Sequence, residues 1–127
     1  MKIVFYPEPL QNEGKKHVKS FLNELKNKHP DLHKKVDFEF KKIIKGKYFI
    51  FKEMISNGVI TNLGKGLYEL RVPKRAKGGV VRIYFMFSPM ERETLILLDA
   101  ELKKQKAASI KTAIKRMNNI NERFRGK

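Results

Sequence analysis

Two stretches of alternating polarity decide the fold: LYELRV at residues 67–72 and VVRIYFMF at residues 80–87. Successive side chains of an extended strand point to opposite faces, so each stretch is predicted to form a strand with one apolar face. On one side lie Tyr68, Leu70, Val72, Val81, Ile83, Phe85 and Phe87. On the other lie Glu69, Arg71, Val80, Arg82, Tyr84 and Met86. If the two strands pair as a hairpin, the first side packs on helices and the second carries two arginines and a tyrosine.

The residues before these strands have a helical period. Val18, Phe21, Leu22 and Leu25 are spaced i, i+3, i+4 and i+7, which predicts a helix over residues 13–28. A second helix is expected to open at Pro30 and to end at Gly46, with an apolar face formed by Leu32, Val36, Phe40, Ile43 and Ile44. Two helices with so short a link should form an antiparallel hairpin.

The remaining elements are shorter. Strands are expected at residues 2–6 and 94–100, and a final amphipathic helix is expected after an N-cap at Ser109, up to residue 124. Residues 46–66 show no clear period; turns are expected at residues 57–58 and 64–66, with a short strand possible at 59–61. Phe49 and Phe51 are interpreted as core or hairpin packing rather than as a surface that stacks on bases.

Together these elements predict a single α+β domain over residues 1–127. It should have a small antiparallel sheet, an N-terminal helical hairpin and a C-terminal helix, with the helices packed on one face of the sheet. No secretory signal and no apolar run long enough to span a membrane is evident, so a cytoplasmic protein without a membrane partner is expected.

The charge of the chain favours a polyanionic partner. Lys and Arg number 29 against 13 Asp and Glu, a formal net charge of +16. Two stretches contain no acid: one holds Arg71, Lys74, Arg75, Lys77 and Arg82, and the other holds Lys103, Lys104, Lys106, Lys111, Lys115 and Arg116. Either stretch alone could be a solvated face. Two of them on one small domain favour nucleic-acid binding.

Two arginines on one sheet face could clamp a phosphate, and a tyrosine beside them could stack on a base. The plainer interpretation is cross-strand pairing of Arg71 with a glutamate. The absence of Cys excludes disulfides, thiolate zinc sites and cysteine nucleophiles. His29 and His33 are four residues apart but lack a third ligand at a suitable spacing, so neither a metal nor a cofactor is expected.

The sequence resembles a known family over essentially the whole chain, and the specific motifs lie between residues 63 and 106. LGKGLYELR at residues 63–71 resembles the signature L-x-x-G-L-Y/W-E-L-R of the RelE/HigB-type toxins of bacterial type II toxin–antitoxin systems, and most of all their phage-derived branch. VRIYF at residues 81–85 resembles the Y-R-V-x-Y-F strand of that branch. LILL at residues 95–98, followed by KKQK at 103–106, resembles its I-V-L-L-H-x-F-x-K-K-x-x-K segment.

The resemblance implies an endoribonuclease that cleaves mRNA on the translating ribosome without a metal and is held by a cognate antitoxin, often with a helix-turn-helix domain. It implies catalytic roles for Arg71, Arg82, Lys103 and Lys104, and RNA binding by Lys74, Arg75, Lys77, Tyr68, Tyr84 and Lys106. Asp99 stands where the family often has His, and Glu101 stands where it has an aromatic residue. A carboxylate could replace the histidine as a base.

Two other functions stay open. One is a ParE-like toxin that inhibits gyrase and cuts nothing. The other is a basic nucleic-acid-binding module without catalysis. Arg71 and Arg82 on one open face favour cleavage over both.

Overall fold

The structure is a computed structural model that describes residues 1–8, 10, 15–46, 48–73, 80–103 and 110–125. Five strands and four helices follow one another in these residues: β1 (Lys2–Phe5), α1 (His17–Lys28), α2 (Pro30–Lys45), α3 (Tyr48–Ser56), β2 (Ile60–Gly64), β3 (Leu67–Val72), β4 (Val80–Phe87), β5 (Thr94–Lys103) and α4 (Lys111–Arg125). The α+β class and the N-terminal helical hairpin are confirmed. The predicted N-cap at Ser109 lies outside the described residues.

The five strands form one open sheet in the order β1-β5-β4-β3-β2. Neighbours from β2 to β5 are antiparallel, but β1 runs parallel to β5, with Lys2 opposite Thr94 and Phe5 opposite Leu97. The prediction of a purely antiparallel sheet is therefore wrong at β1. The long stretch of chain between β1 and β5 permits this pairing, because parallel strands need a long connection rather than a tight turn.

Helices cover both faces of the sheet, which corrects the prediction that they pack on one face. The helices α1, α2 and α3 cover the face that carries Leu70, Ile83 and Phe85. Helix α4 covers part of the opposite face through Ala113, Met117 and Ile120, which pack with Leu67, Tyr84, Met86, Ile96 and Leu98. The alternation in β4 explains this: its second face is polar at Arg82 but apolar at Met86, and that apolar half requires its own cover.

Helix α3 occupies a region whose sequence shows no clear period. It buries Phe51 and Met54, and Phe51 contacts Tyr68, Phe85 and Phe87 with ring centroids 5.2, 6.1 and 4.9 Å away. Core packing is thus confirmed for Phe51 but wrong for Phe49, which is 74% exposed. Gly46 permits the tight entry into α3, since a Cβ there would lie 2.5 Å from Ile50 Cγ1 and 2.8 Å from the Lys42 carbonyl oxygen.

Strand β5 extends to Lys103, beyond the predicted end at residue 100, and it contains a bulge. Tyr84 lies opposite Asp99, but Phe85 lies opposite Leu97, so Leu98 is one extra residue in β5. Before the bulge, Leu95 and Leu97 face the α1–α3 side; after it, Ala100 and Leu102 do so. The bulge therefore turns Asp99 and Glu101 to the face of Arg82.

Candidate nucleic-acid interface

The two candidate arginines lie side by side on one sheet face. In the β3–β4 register Arg71 is directly opposite Arg82, and in the β4–β5 register Arg82 is directly opposite Glu101. A second row beneath it joins Glu69, Tyr84 and Asp99 in the same way. The predicted placement of Arg71, Arg82 and Tyr84 on one face is confirmed. The carboxylates of Asp99 and Glu101 join them there only because of the bulge.

Glu69 holds Arg71 in place. Nη2 of Arg71 donates a hydrogen bond of 3.2 Å to Glu69 Oε1, and Glu69 is only 4% exposed. The plainer interpretation is confirmed in that Arg71 pairs with a glutamate, but the partner lies two residues away on the same strand and not across the strands. The Arg71 side chain keeps 40% of its surface exposed, and its buried Nε has no hydrogen-bond partner among the described residues. The guanidinium is thus oriented by one carboxylate and retains donors for an anionic ligand.

Tyr84 acts as a buried hydrogen-bond donor. Its ring has no exposed surface, and its hydroxyl donates a 2.9 Å hydrogen bond to Glu101 Oε1. Burial, then the hydrogen bond to Glu101 and the negative charges of Glu101 and Glu69, raise the pKa of Tyr84 well above its ordinary value. The predicted role of Tyr84 in stacking on a base does not fit this position, because no face of the ring is open. Tyr84 instead fixes Glu101 beside Arg82.

Tyr68 lies on the opposite face of the sheet from the arginines. Its ring stacks on Phe85 with centroids 5.5 Å apart and meets Phe51 and Phe87 edge-on. Tyr68 therefore does not lie beside the arginines, and its role in RNA binding stays a prediction. The alternation in residues 67–72 already carried this signal, since Tyr68 shares its side with Leu70 and Val72.

Arg116 of α4 is a site residue that the sequence analysis noted only as part of an acid-free stretch. Its Nη1 donates to the Leu98 carbonyl oxygen at 2.6 Å and lies 3.5 Å from Asp99 Oδ1. Arg116 therefore supplies a hydrogen-bond donor to the carbonyl oxygen of the bulge residue in β5 and is not a free cation of the acid-free stretch.

His17 lies close enough to these groups for its pKa to respond to them. Desolvation, followed by the charges of Arg116 and Lys15, lowers the pKa of His17, while Asp99 opposes that shift.

The described part of the site is close to electrically neutral. Arg71, Arg82 and Arg116 face Glu69, Asp99 and Glu101, three charges of each sign. Lys103 is the last residue of β5, and its backbone lies opposite Val80. The other predicted RNA-binding and catalytic residues lie outside the described residues: Lys74, Arg75, Lys77, Lys104 and Lys106. Among the described residues, the charges of the three arginines are thus balanced by those of the three carboxylates.

Replacing Tyr84 by phenylalanine tests the buried hydroxyl. At neutral pH the free energy of unfolding should fall by about 1–2 kcal/mol, because Glu101 loses a donor. The raised pKa keeps the folded phenol protonated while the unfolded one ionises near its ordinary pKa of about 10. Below that pH, ionisation of this group should therefore not lower the free energy of unfolding of the wild type. Above it, the free energy of unfolding should fall by at most about 1.4 kcal/mol per pH unit.

Urea unfolding between neutral and alkaline pH measures both effects. The curves of wild type and Tyr84→Phe should converge above the ordinary tyrosine pKa. The matched control is Tyr48→Phe, which removes a hydroxyl from a ring that is 56% exposed. Parallel curves for wild type and Tyr84→Phe would contradict the assignment.

The described residues contain no cluster of three or more His, Asp or Glu side chains arranged to hold a metal ion. Within the same residues, no helix is both long enough and apolar enough to cross a bilayer. Comparison of the chain with protein-family models, with curated proteins and with solved structures finds no match.

Proposed function

We propose that this chain is the toxin of a type II toxin–antitoxin pair, of the RelE/HigB type, and cleaves mRNA on the translating ribosome. The observation that carries the proposal is the direct opposition of Arg71 and Arg82 on one sheet face, with Glu101 beside Arg82. An α+β fold with two N-terminal helices and a C-terminal helix is compatible with that family. The signature at residues 63–71 supports it independently.

The reaction would need only side chains of this chain. The 2′-hydroxyl attacks the adjacent phosphorus, forming a 2′-O–P bond while the P–O5′ bond breaks. Glu101 accepts the 2′-hydroxyl proton, and a lysine of the 103–106 segment protonates the leaving 5′-oxygen. Arg71 and Arg82 stabilise the charge on the phosphorane oxygens. The products are a 2′,3′-cyclic phosphate on one fragment and a 5′-hydroxyl on the other.

The proposal also defines the partners. An antitoxin with an acidic surface would neutralise the positive charge of the toxin. The same positive charge would attract the toxin to ribosomal RNA. Both partners and the site of action would be in the cytoplasm.

A non-catalytic function is the second candidate, and one observation favours it. Arg71 is paired with Glu69, Arg116 with Asp99, and Arg82 lies opposite Glu101. Carboxylates next to each arginine weaken the field that a phosphate would experience. A gyrase-inhibiting toxin of the ParE type, or a nucleic-acid-binding module that cuts nothing, is consistent with such a neutral cluster.

Mapping of mRNA 5′ ends after induction in cells tests the proposal. Cuts in phase with the reading frame, reproduced by purified protein with ribosomes in the presence of EDTA and ending in a cyclic phosphate, would support it. Intact mRNA accompanied by DNA damage would point to gyrase. Intact mRNA and intact DNA, with only salt-dependent binding, would leave the binding module.

A further inference from the structure

Exposed aromatic rings collect on the outer helices, away from the arginine pair. Phe38 on α2 is 59% exposed, and Tyr48 and Phe49 on α3 are 56% and 74% exposed. Single exposed apolar residues are ordinary, but three large rings within residues 38–49 are not. We call Phe38, Lys42, Lys45, Tyr48, Phe49 and Lys52 the α2–α3 surface.

Lysines accompany these rings at short range. Nζ of Lys42 lies 4.5 Å from the Phe38 ring centroid, and Nζ of Lys52 lies 5.2 Å from that of Tyr48. Lys42 and Lys45 also line an open cleft of about 560 Å³ between the end of α2 and α3, with Ile50, Met54 and Glu53 among its walls. Ammonium groups therefore lie beside two of the three exposed rings, and two lysines of the surface, but none of its rings, line this groove.

The surroundings of the groove are positively charged. The described residues between 34 and 53 contain six lysines and three carboxylates, a net charge of +3. Asp37 is 3.1 Å from Lys41 and Glu39 is 3.5 Å from Lys42, so two of the carboxylates are engaged in ion pairs along α2 itself. A ligand with regularly spaced negative charges complements such a groove.

Single-stranded nucleic acid presents both features at once, because each phosphate is linked to a base with an apolar ring face. We propose that the α2–α3 surface binds single-stranded RNA, with Phe49 and Phe38 stacking on bases and Lys42 and Lys45 contacting phosphates. A lipid surface fits less well. The apolar residues Phe51 and Met54 of α3 face the core, so its exposed rings do not continue into a lipid-facing stripe.

This surface would be a second RNA contact, separate from the arginine pair. Helices α2 and α3 cover the sheet face opposite to Arg71 and Arg82. The inference of this second surface depends on the proposed function in one respect, the choice of RNA as the ligand. The stacking role cannot be filled at the arginine face, because the ring of Tyr84 is buried and Tyr68 lies on the opposite face of the sheet. The proposal gives that role to aromatic rings that are open to solvent.

Fluorescence anisotropy with a short, labelled, 2′-O-methylated single-stranded RNA tests the proposal, because this probe cannot be cleaved through its 2′-oxygen. Phe49→Leu should weaken binding roughly tenfold, the loss of one base–aromatic stack, while Phe49→Trp should bind at least as well as wild type. Ile44→Ala is the matched control, since Ile44 is 51% exposed on α2 but has no ring. Lys45→Gln should reduce the slope of log Kd against log salt by about 0.7, one phosphate contact.

Equal affinity of Phe49→Leu and wild type would overturn the proposal, as would an equal loss in Ile44→Ala. Binding to phosphatidylglycerol vesicles that depends on Phe49, with unchanged RNA affinity, would also overturn it and indicate a membrane surface. The two proposals fail separately. RNA binding that depends on Phe49, without any mRNA cleavage, would contradict the proposed nuclease function but not the RNA-binding surface. Cleavage with RNA binding that does not depend on Phe49 would contradict the RNA-binding surface but not the nuclease function.

Discussion

Replacing Arg82 by alanine is expected to lower the rate of the proposed mRNA cleavage by about 10²–10³-fold, the usual effect of removing a preorganised group that stabilises developing charge. Arg82 lies between Arg71 and Glu101 in the sheet, so it is the central residue of the row that would contact the phosphorane. Its loss would remove both the proposed phosphate contact and the cation next to the proposed base. Single-turnover cleavage of ribosome-bound mRNA measures the effect.

Three controls separate catalysis from folding and from bulk charge. Arg82→Lys keeps the charge but loses the bidentate geometry, so it should recover part of the rate. Arg123→Ala removes one positive charge from an exposed position of α4 and should leave the rate nearly unchanged. Circular dichroism should show that Arg82→Ala remains folded. A folded Arg82→Ala that cleaves at the wild-type rate would remove Arg82 from the mechanism.

Replacing Phe51 by alanine is expected to lower the free energy of unfolding by about 3–5 kcal/mol, the cost of deleting a large buried aromatic side chain. Phe51 is 3% exposed and contacts the rings of Tyr68, Phe85 and Phe87, which join α3 to the centre of the sheet. Such a loss is a large part of the stability of a domain of this size. Urea denaturation followed by circular dichroism measures it.

Phe49 provides a control of the same residue type two positions away. Because Phe49 is exposed, Phe49→Ala should change stability by no more than about 0.5 kcal/mol. Similar losses in the two variants would mean that α3 does not have the orientation described. A large loss in Phe51→Ala alone, with unchanged RNA affinity, would separate the core side of α3 from its outer surface.

The parts of the fold that could be predicted are those with a strong local period. The alternation in residues 67–72 and 80–87 is sufficient to define β3, β4 and the face of each side chain. Helices α1, α2 and α4 follow from their spacing of apolar residues. Helix α3 has only nine residues and buries two of its side chains, so its period is too brief to stand out. The parallel pairing of β1 depends on long-range packing, which no local pattern encodes.

The site was predictable only where it depends on the regular alternation. That alternation correctly placed Arg71 and Arg82 on one face. It could not show that the ring of Tyr84 is enclosed, because this depends on α4 packing across the same face. It could not place Asp99 and Glu101 beside Arg82 either, since the extra residue Leu98 breaks the alternation in β5. Arg116 reaches the site from a helix distant in sequence, so no spacing pointed to it.

The extra residue in β5 also means that the number of residues in this strand decides whether two carboxylates face the arginines. With Leu98 present, the acidic side chains that follow it lie beside the arginines. Deletion of Leu98 would turn Asp99 and Glu101 towards the α1–α3 core, because a shift of one residue moves side chains to the other face of a strand. An unpaired buried charge is costly there, and the arginine pair would lose both carboxylates. A single in-frame deletion would thus remove two of the three carboxylates that balance the three arginines.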